Sequence, residues 1–124
     1  MKHLTKPVAY LESSDFDKEG NLVNSEIPSD VPVVIMVQAN YCGFCTQAKP
    51  EFQAFADKMN GKVFVCTIQG DGDQQGEQEL KSKLNQWYPD FKGYPHYLLY
   101  KGGKRVNKQN RGRSVSDLIE FSKI

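Results

Sequence analysis

The chain has 124 residues, 39% hydrophobic and 25% charged, which is the size and balance of one globular domain. Its formal net charge of +1 gives no long-range field that would recruit nucleic acid or an anionic membrane surface. No stretch approaches the roughly 18 apolar residues of a membrane span. The N-terminal segment 1–7 is basic, but it is not followed by the apolar run of a signal peptide. We therefore expect a cytoplasmic protein without a signal peptide, although a mature exported chain would have the same sequence.

The elements predicted first along the chain are a strand, an irregular segment, a buried strand and a helix. Residues 8–11 form a short strand, and residues 12–32 are polar and interrupted by glycine and proline, which favours a short or irregular first helix. Residues 33–37 are a continuous apolar run, typical of a strand buried on both faces. In residues 45–59 apolar side chains recur at helical spacing, and Pro50 should kink that helix.

The second half predicts a strand, a helix and a hairpin. Residues 62–69 are apolar on both alternating faces and form a strand, and residues 70–76 form a loop. Residues 77–87 fit a helix with one apolar stripe. Residues 97–100 and 104–109 are two strands across a Lys-Gly-Gly turn, the second being a polar edge strand.

A final helix begins at Ser114, which forms a capping-box pattern with Asp117. The predicted order is β, weak α, β, α, β, α, β, β, α. A strand–helix–strand unit implies a parallel crossover, and the late hairpin implies antiparallel pairing. The predicted fold class is therefore α/β, with a mixed central sheet between helix layers.

Three cysteines carry the candidate chemistry: Cys42 and Cys45 are spaced C-x-x-C, and Cys66 stands alone. An odd, low count argues against a disulfide-stapled secreted scaffold. Zinc is the competing use of such a pair, but it takes four ligands. The remaining candidates, Cys66 with the distant His3 and His96, form no second pair, so we expect no metal.

The position of Cys42 favours a reactive thiol. It lies where a buried strand leads into a helix, and unpaired N–H groups and the helix dipole stabilise a thiolate there. Cys45 lies one turn inside the helix, close enough to attack a mixed disulfide on Cys42. Gly43 and Phe44 between them carry no charge.

Several segments resemble the thioredoxin superfamily. Residues 41–45, Tyr-Cys-Gly-Phe-Cys, resemble its active-site motif, and Pro50 matches the proline that kinks its active-site helix. Residues 91–95, Phe-Lys-Gly-Tyr-Pro, resemble the segment that ends in the family's cis-proline. Residues 101–103 resemble its hairpin turn.

The resemblance covers roughly residues 33–121 and implies one thioredoxin-like domain over residues 1–124, in which residues 1–32 are divergent. It implies disulfide exchange with protein substrates, in which Cys42 attacks and Cys45 resolves. Electrons would come from a thiol donor or a disulfide reductase, without a bound cofactor. We expect a monomer that binds neither nucleic acid nor membrane.

The resemblance also implies roles for residues around the thiols. Pro95, joined to Tyr94 by a cis bond, would shape the substrate groove, and the Tyr94 backbone would pair with an extended substrate strand. Tyr41, Phe44 and Tyr94 would form an apolar rim that docks a polypeptide. The Gly-Arg pair ending at Arg113 resembles protein disulfide isomerase domains, in which the arginine approaches the second cysteine. The alternative for Arg113 is a solvated charge at a helix start.

Two departures from the family pattern bear on the chemistry. The buried acid and its lysine partner are replaced by Met36 and Thr67, so burial should raise the pKa of Cys45 without a carboxylate to relay its proton. The inner dipeptide Gly43-Phe44 matches neither the Gly-Pro of thioredoxin nor the Gly-His of the isomerases.

Three rival functions remain open. The first is an isomerase or oxidase rather than a reductase, and the second is a glutathione-dependent glutaredoxin, for which no glutathione-carboxylate site is evident. The third is a thioredoxin-fold adaptor whose thiols are inert. Cys66 is expected to be a core residue and His96 a packed residue rather than a catalytic base. Residues 71–82 resemble a calcium loop only weakly, since Ser82 replaces the final glutamate.

Overall fold

The computed structural model describes residues 4–124, which fold into a five-stranded sheet with three α-helices. His3, considered above as a zinc ligand, lies outside the described residues. The strands are β1 (Ala9–Tyr10), β2 (Val33–Gln38), β3 (Phe64–Gln69), β4 (His96–Lys101) and β5 (Lys104–Val106). The helices are α1 (Gly43–Lys58), α2 (Gln75–Trp87) and α3 (Val115–Ser122), with a 3-10 turn at Ser13–Asp15.

The sheet is mixed and has the strand order β1-β3-β2-β4-β5. Strands β1, β2 and β3 are parallel, whereas β4 pairs antiparallel with both β2 and β5. All six residues of β2 are buried, as its continuous apolar run predicts. The predicted fold class, a mixed sheet between helix layers, is confirmed.

Each face of the sheet buries its own apolar cluster. Along β3, Val65 packs in the cluster that contains Phe52 of α1 and Leu118 of α3. The next residue, Cys66, packs in the opposite cluster with Leu80 of α2. This alternation of successive side chains confirms that both faces of the strand are covered.

The segment before β2 is held by contacts with the rest of the chain rather than by a helix of its own. Its helical content is one 3-10 turn, and a single bridge joins Phe16 to Leu22. The buried Tyr100 hydroxyl donates to the Gly20 carbonyl at 2.7 Å. Gly20 has φ +85, and a Cβ there would lie 2.8 Å from the Trp87 ring, so this close approach requires glycine.

The site of interest lies where β2 leads into α1. Residues 39–42 connect the two elements, and Cys42 is the residue that caps the helix. The predicted helix is confirmed and begins at Gly43, with Pro50 inside it. The two candidate cysteines therefore lie at the carboxyl end of the central strand, which is the usual ligand-binding edge of an α/β sheet.

Candidate active site

Cys42 and Cys45 have different environments at the start of α1. Cys42 is partly buried, and its sulfur accepts a hydrogen bond from the Cys45 backbone N–H at 3.1 Å. Cys45 is one turn inside the helix and is fully buried. Because a helix N-terminus offers N–H groups without partners in the helix, the Cys42 sulfur receives a donor that would stabilise negative charge.

Burial dominates the chemistry of Cys45. The pKa of its thiol is raised to about 12, first because burial disfavours the thiolate and then because its side chain is hydrogen-bonded to Cys42. The positive charge of Lys49 acts in the opposite direction and lowers the pKa. The direction of this shift agrees with the raised pKa that the sequence analysis predicted from the burial of Cys45.

The segment before β4 lies against the first thiol. The Cys42 thiol donates to the Tyr94 carbonyl, with sulfur and oxygen 3.6 Å apart. The Tyr94–Pro95 peptide bond is cis. Directly after β3, a Cβ on Gly70 would collide with the hydroxyl end of the Tyr94 ring, so a larger residue there would displace this ring.

Aromatic side chains surround the thiol pair. Tyr41 is 72% exposed and Phe44 63%, which is unusual for large apolar groups. Tyr41 packs edge-on against Tyr94, with ring centroids 6.1 Å apart. The Arg113 guanidinium lies over the Phe44 ring, 5.6 Å from its centroid. The structure therefore brings together the aromatic residues and the arginine that the sequence analysis singled out.

Met36 and Thr67, at which the resemblance implies an acid and a lysine, are both buried. They are register partners on β2 and β3, and neither is accessible to solvent. The Thr67 hydroxyl donates to the Met36 carbonyl at 2.8 Å, so its polarity is satisfied within the sheet. Met36 lies in the same apolar cluster as Cys45, which leaves the second thiol without a carboxylate at this position.

A Met36→Asp variant should be less stable and faster in resolution. A carboxyl at this fully buried position loses hydration, so we expect the free energy of unfolding to fall by about 1–3 kcal/mol. A carboxylate beside Cys45 would accept its proton and speed its attack. Urea unfolding and the rate of mixed-disulfide resolution measure the two effects. Met36→Leu is the control, and an equal resolution rate in Asp and Leu variants would contradict the account.

Lys49 is a site residue that the sequence analysis missed. It lies in α1 one turn after Cys45, and only 4% of it is exposed. Its Nζ donates to Asn40 Oδ1 at 3.0 Å, and the Asn40 backbone N–H donates to Asp71 Oδ2 at 2.9 Å. A lysine four positions after a buried cysteine, on the apolar face of the helix, was the available signal.

Other candidates lie outside the site. Cys66 is fully buried in the cluster on the opposite face of the sheet, and burial raises the pKa of its thiol. His96 packs edge-on against Phe91, and burial lowers its pKa. Helix α2 begins at Gln75, within the segment considered as a calcium loop. Over residues 4–124, no three His, Cys, Asp or Glu side chains are grouped to hold a metal ion.

In dithiol–disulfide exchange, an accessible thiol attacks the substrate and a second thiol close behind it releases the product. The accessible Cys42 at the helix cap and the buried Cys45 have this arrangement. Together with the mixed sheet between helices, it defines a thiol–disulfide oxidoreductase of the thioredoxin fold. The chain belongs to the thioredoxin family, whose model matches residues 7–123. No helix within residues 4–124 has the length and apolar character needed to cross a membrane.

Known proteins similar to this chain differ in size. Thioredoxin-like protein 453L of Invertebrate iridescent virus 6 is 41% identical over 132 residues, with 97% of this chain and 95% of that protein covered. Thioredoxin of Gallus gallus is 26% identical, with 86% of this chain and 92% of that protein covered. A protein disulfide-isomerase of Schizosaccharomyces pombe is also 26% identical, over 91% of this chain, but the chain spans only 21% of that relative.

Solved structures show the same fold. Human ERp44 form I superposes with a TM-score of 0.67 at 20% identity, covering 97% of this chain and 29% of that one. The Trx4 domain of ERdj5 superposes with a TM-score of 0.62 at 20% identity, covering 94% of this chain and 92% of that domain's chain. At this level of identity, the likeness shows the fold and leaves the activity to be argued from the site.

Proposed function

We propose that the chain exchanges disulfides reversibly with protein substrates through Cys42 and Cys45. The observation that carries this proposal is the contrast between the two thiols. Cys42 is accessible and receives an N–H donor on its sulfur, whereas Cys45 is fully buried directly behind it. One thiol can therefore meet a macromolecular disulfide, and the other can reach only the first thiol.

The exchange takes place in two displacements. The Cys42 thiolate attacks one sulfur of the substrate disulfide, so a mixed disulfide forms and the other substrate sulfur leaves as a thiolate. The Cys45 thiol then loses its proton and attacks the Cys42 sulfur. The substrate's second sulfur leaves as a thiolate, the protein holds a Cys42–Cys45 disulfide, and two electrons have passed to the substrate.

The surface around Cys42 suits an extended polypeptide. The Tyr94 carbonyl lies 3.6 Å from the Cys42 sulfur, and an extended substrate strand would pair with this backbone before Pro95. The exposed rings of Tyr41 and Phe44 flank the same sulfur and would cover apolar side chains next to the substrate cysteine. We assign Pro95 the role of shaping this groove, and Gly43 that of leaving the thiol uncovered.

Insulin reduction with dithiothreitol tests this proposal. The chain should accelerate precipitation of the insulin B chain, and Cys42→Ser should return the rate to that of dithiothreitol alone. Cys66→Ser is the matched control, because Cys66 lies in the opposite cluster and should not affect the rate. A chain that folds but does not accelerate the reaction would support the alternative, a thioredoxin-fold adaptor.

The direction of electron flow follows from the reduction potential of the thiol pair. Thiol–disulfide oxidoreductases of this fold span roughly −270 to −120 mV. The Gly43-Phe44 dipeptide matches neither the Gly-Pro of thioredoxin nor the Gly-His of the isomerases, so it does not assign the chain a place in this range. Equilibration with glutathione redox buffers measures the potential. A value far below that of the glutathione pool supports a reductase, and a value near or above it supports the second candidate, an isomerase or oxidase.

Arg113→Ala should slow the second displacement more than the first. The guanidinium lies over Phe44 in the first turn of α1, and a long exposed side chain there can turn toward Cys45 as its thiolate forms. Loss of an opposite charge would slow resolution by about threefold to tenfold. Rapid mixing separates the two half-reactions, and Arg113→Lys should retain most of the rate. Equal slowing of both would remove Arg113 from the mechanism.

A further inference from the structure

The segment from β5 to α3 concentrates positive charge beside the thiol pair. Residues 104–113 hold five of the sixteen basic residues of the chain and no acidic residue. The other 114 residues therefore hold eleven basic and fifteen acidic residues, a net charge of −4. The near-neutral total conceals a local cationic surface, and such a surface attracts anions at short range.

This segment forms one wall of a cleft of about 790 Å³. Its lining also includes Asp90 and Pro95, and it includes Arg113, whose guanidinium lies over the Phe44 ring of the active site. The cleft therefore adjoins the groove in which a substrate chain would reach Cys42. A polypeptide whose cysteine is bound there has its neighbouring residues at the mouth of the cleft.

The positive charges of the cleft are only partly neutralised. Arg105 makes a two-pronged ion pair with Asp90, at 3.0 and 2.9 Å. Lys108 donates to carbonyl groups at the end of α3, including that of Glu120 at 2.7 Å. The side chain of Arg111 has no ion-pair partner within residues 4–124 and is exposed. Arg111 and Arg113 are therefore the cations available to a ligand.

Polar atoms without partners also line this cleft. The Tyr97 hydroxyl belongs to a side chain that is only 6% exposed, yet it makes no hydrogen bond. Arg105 Nε is likewise buried without a hydrogen-bond partner, whereas His96 Nε2 lies 3.6 Å from Asp90 Oδ2. Leaving a buried donor unpaired costs free energy, so such groups in one cleft indicate a ligand that accepts hydrogen bonds. Burial raises the pKa of the Tyr97 hydroxyl, and the positive charge of Arg113 lowers it by a smaller amount, so the guanidinium acts on this hydroxyl.

We propose that this cleft binds a carboxylate side chain of the disulfide-bearing polypeptide and thereby selects acidic protein substrates. The proposal rests on the disulfide exchange proposed above and names its substrate class. Carboxylate oxygens accept from guanidinium and phenol groups, which are the donors that the cleft offers. Glutathione carries the same chemistry, but the position of the cleft beside the extended-strand groove favours a polypeptide.

The proposal is tested with three peptide disulfides that differ only in the residues flanking the cysteine, which are Glu, Gln or Lys. At about 0.02 M salt the reduced chain should attack the Glu peptide about fivefold faster than the Gln peptide, and the ratio should shrink at about 0.2 M salt. Arg111→Gln should lower the ratio to about twofold without changing the rate with the Gln peptide. Lys104→Gln, the matched control, removes an equal charge from β5 outside the cleft and should leave the ratio unchanged.

Tyr97→Phe supplies a second test. It should lower the Glu preference while leaving the free energy of unfolding unchanged or higher, because the deleted hydroxyl has no partner. Equal rates with all three peptides, or faster attack on glutathione disulfide than on the Glu peptide, would overturn the proposal. Binding of the reduced peptides to the Cys42→Ser chain is independent of the exchange. If the chain binds the Glu peptide more tightly but does not exchange disulfides, the proposed carboxylate site stands and only the proposed disulfide exchange is refuted.

Discussion

A Cys45→Ser variant should stop after the first displacement and accumulate a mixed disulfide on Cys42. The buried Cys45 lies one turn behind Cys42, and no other described cysteine is near enough to replace it, since Cys66 packs on the opposite face. Serine cannot attack the mixed disulfide, so the substrate stays bound until a thiol from solution releases it. Loss of the intramolecular attack should lower turnover by at least about 100-fold.

Mass spectrometry after mixing with a disulfide substrate measures the trapped adduct. The adduct should map to Cys42, disappear on addition of dithiothreitol, and be absent from a variant that also carries Cys42→Ser. Alkylation of the natural chain at neutral pH should label Cys42 before either buried thiol. An adduct on Cys66, or first labelling of Cys45, would show that the assignment of attacking and resolving thiols is wrong.

The strands and helices that form the fold were predictable because their signals are local. The apolar run of β2, the alternation in β3 and the Ser114 capping box with Asp117 each specify an element by its own residues. Proline positions and the C-x-x-C pair then place the thiols at the start of α1. The predicted family and fold followed from residues that are close in sequence, and both are confirmed.

The parts that sequence could not supply depend on contacts between distant segments. The edge strand predicted over residues 104–109 ends at Val106, and the following Lys108 donates instead to carbonyl groups at the end of α3. The cationic cleft exists only because the chain after β5 lines the same space as the residues at the start of β4. In the same way, Lys49 reads as a surface charge in sequence, and only packing shows that it is buried beside Cys45.

Lys49→Met should shift the pH dependence of resolution to higher pH. The attacking form of Cys45 is its thiolate, and burial raises the pKa of this thiol, so the resolution rate in the natural chain should rise nearly tenfold per pH unit near neutrality. In the mixed disulfide Cys42 no longer carries a thiol, so burial is the main cause that remains. The Lys49 ammonium offsets part of it, and its loss should slow resolution about threefold to tenfold.

The matched variants separate this electrostatic effect from a change in packing. Lys49→Arg keeps the charge and should retain most of the rate, whereas Lys58→Met removes an exposed charge from the end of α1 and should change nothing. The measurements belong below about pH 9, because the raised pKa of Cys45 makes the folded state lose stability as pH rises above the pKa of an unfolded-chain thiol.

The shape of the pH profile decides the outcome. If Lys49 acts through its charge, the Met variant should show the same slope as the natural chain, displaced to higher pH, while the rate of the first attack by Cys42 stays unchanged. A merely structural role would slow both displacements at every pH and would not be rescued by arginine. Coincident profiles in the natural and Lys49→Met chains would show that the lysine leaves Cys45 unaffected, and that the second thiol ionises without a cationic neighbour in α1.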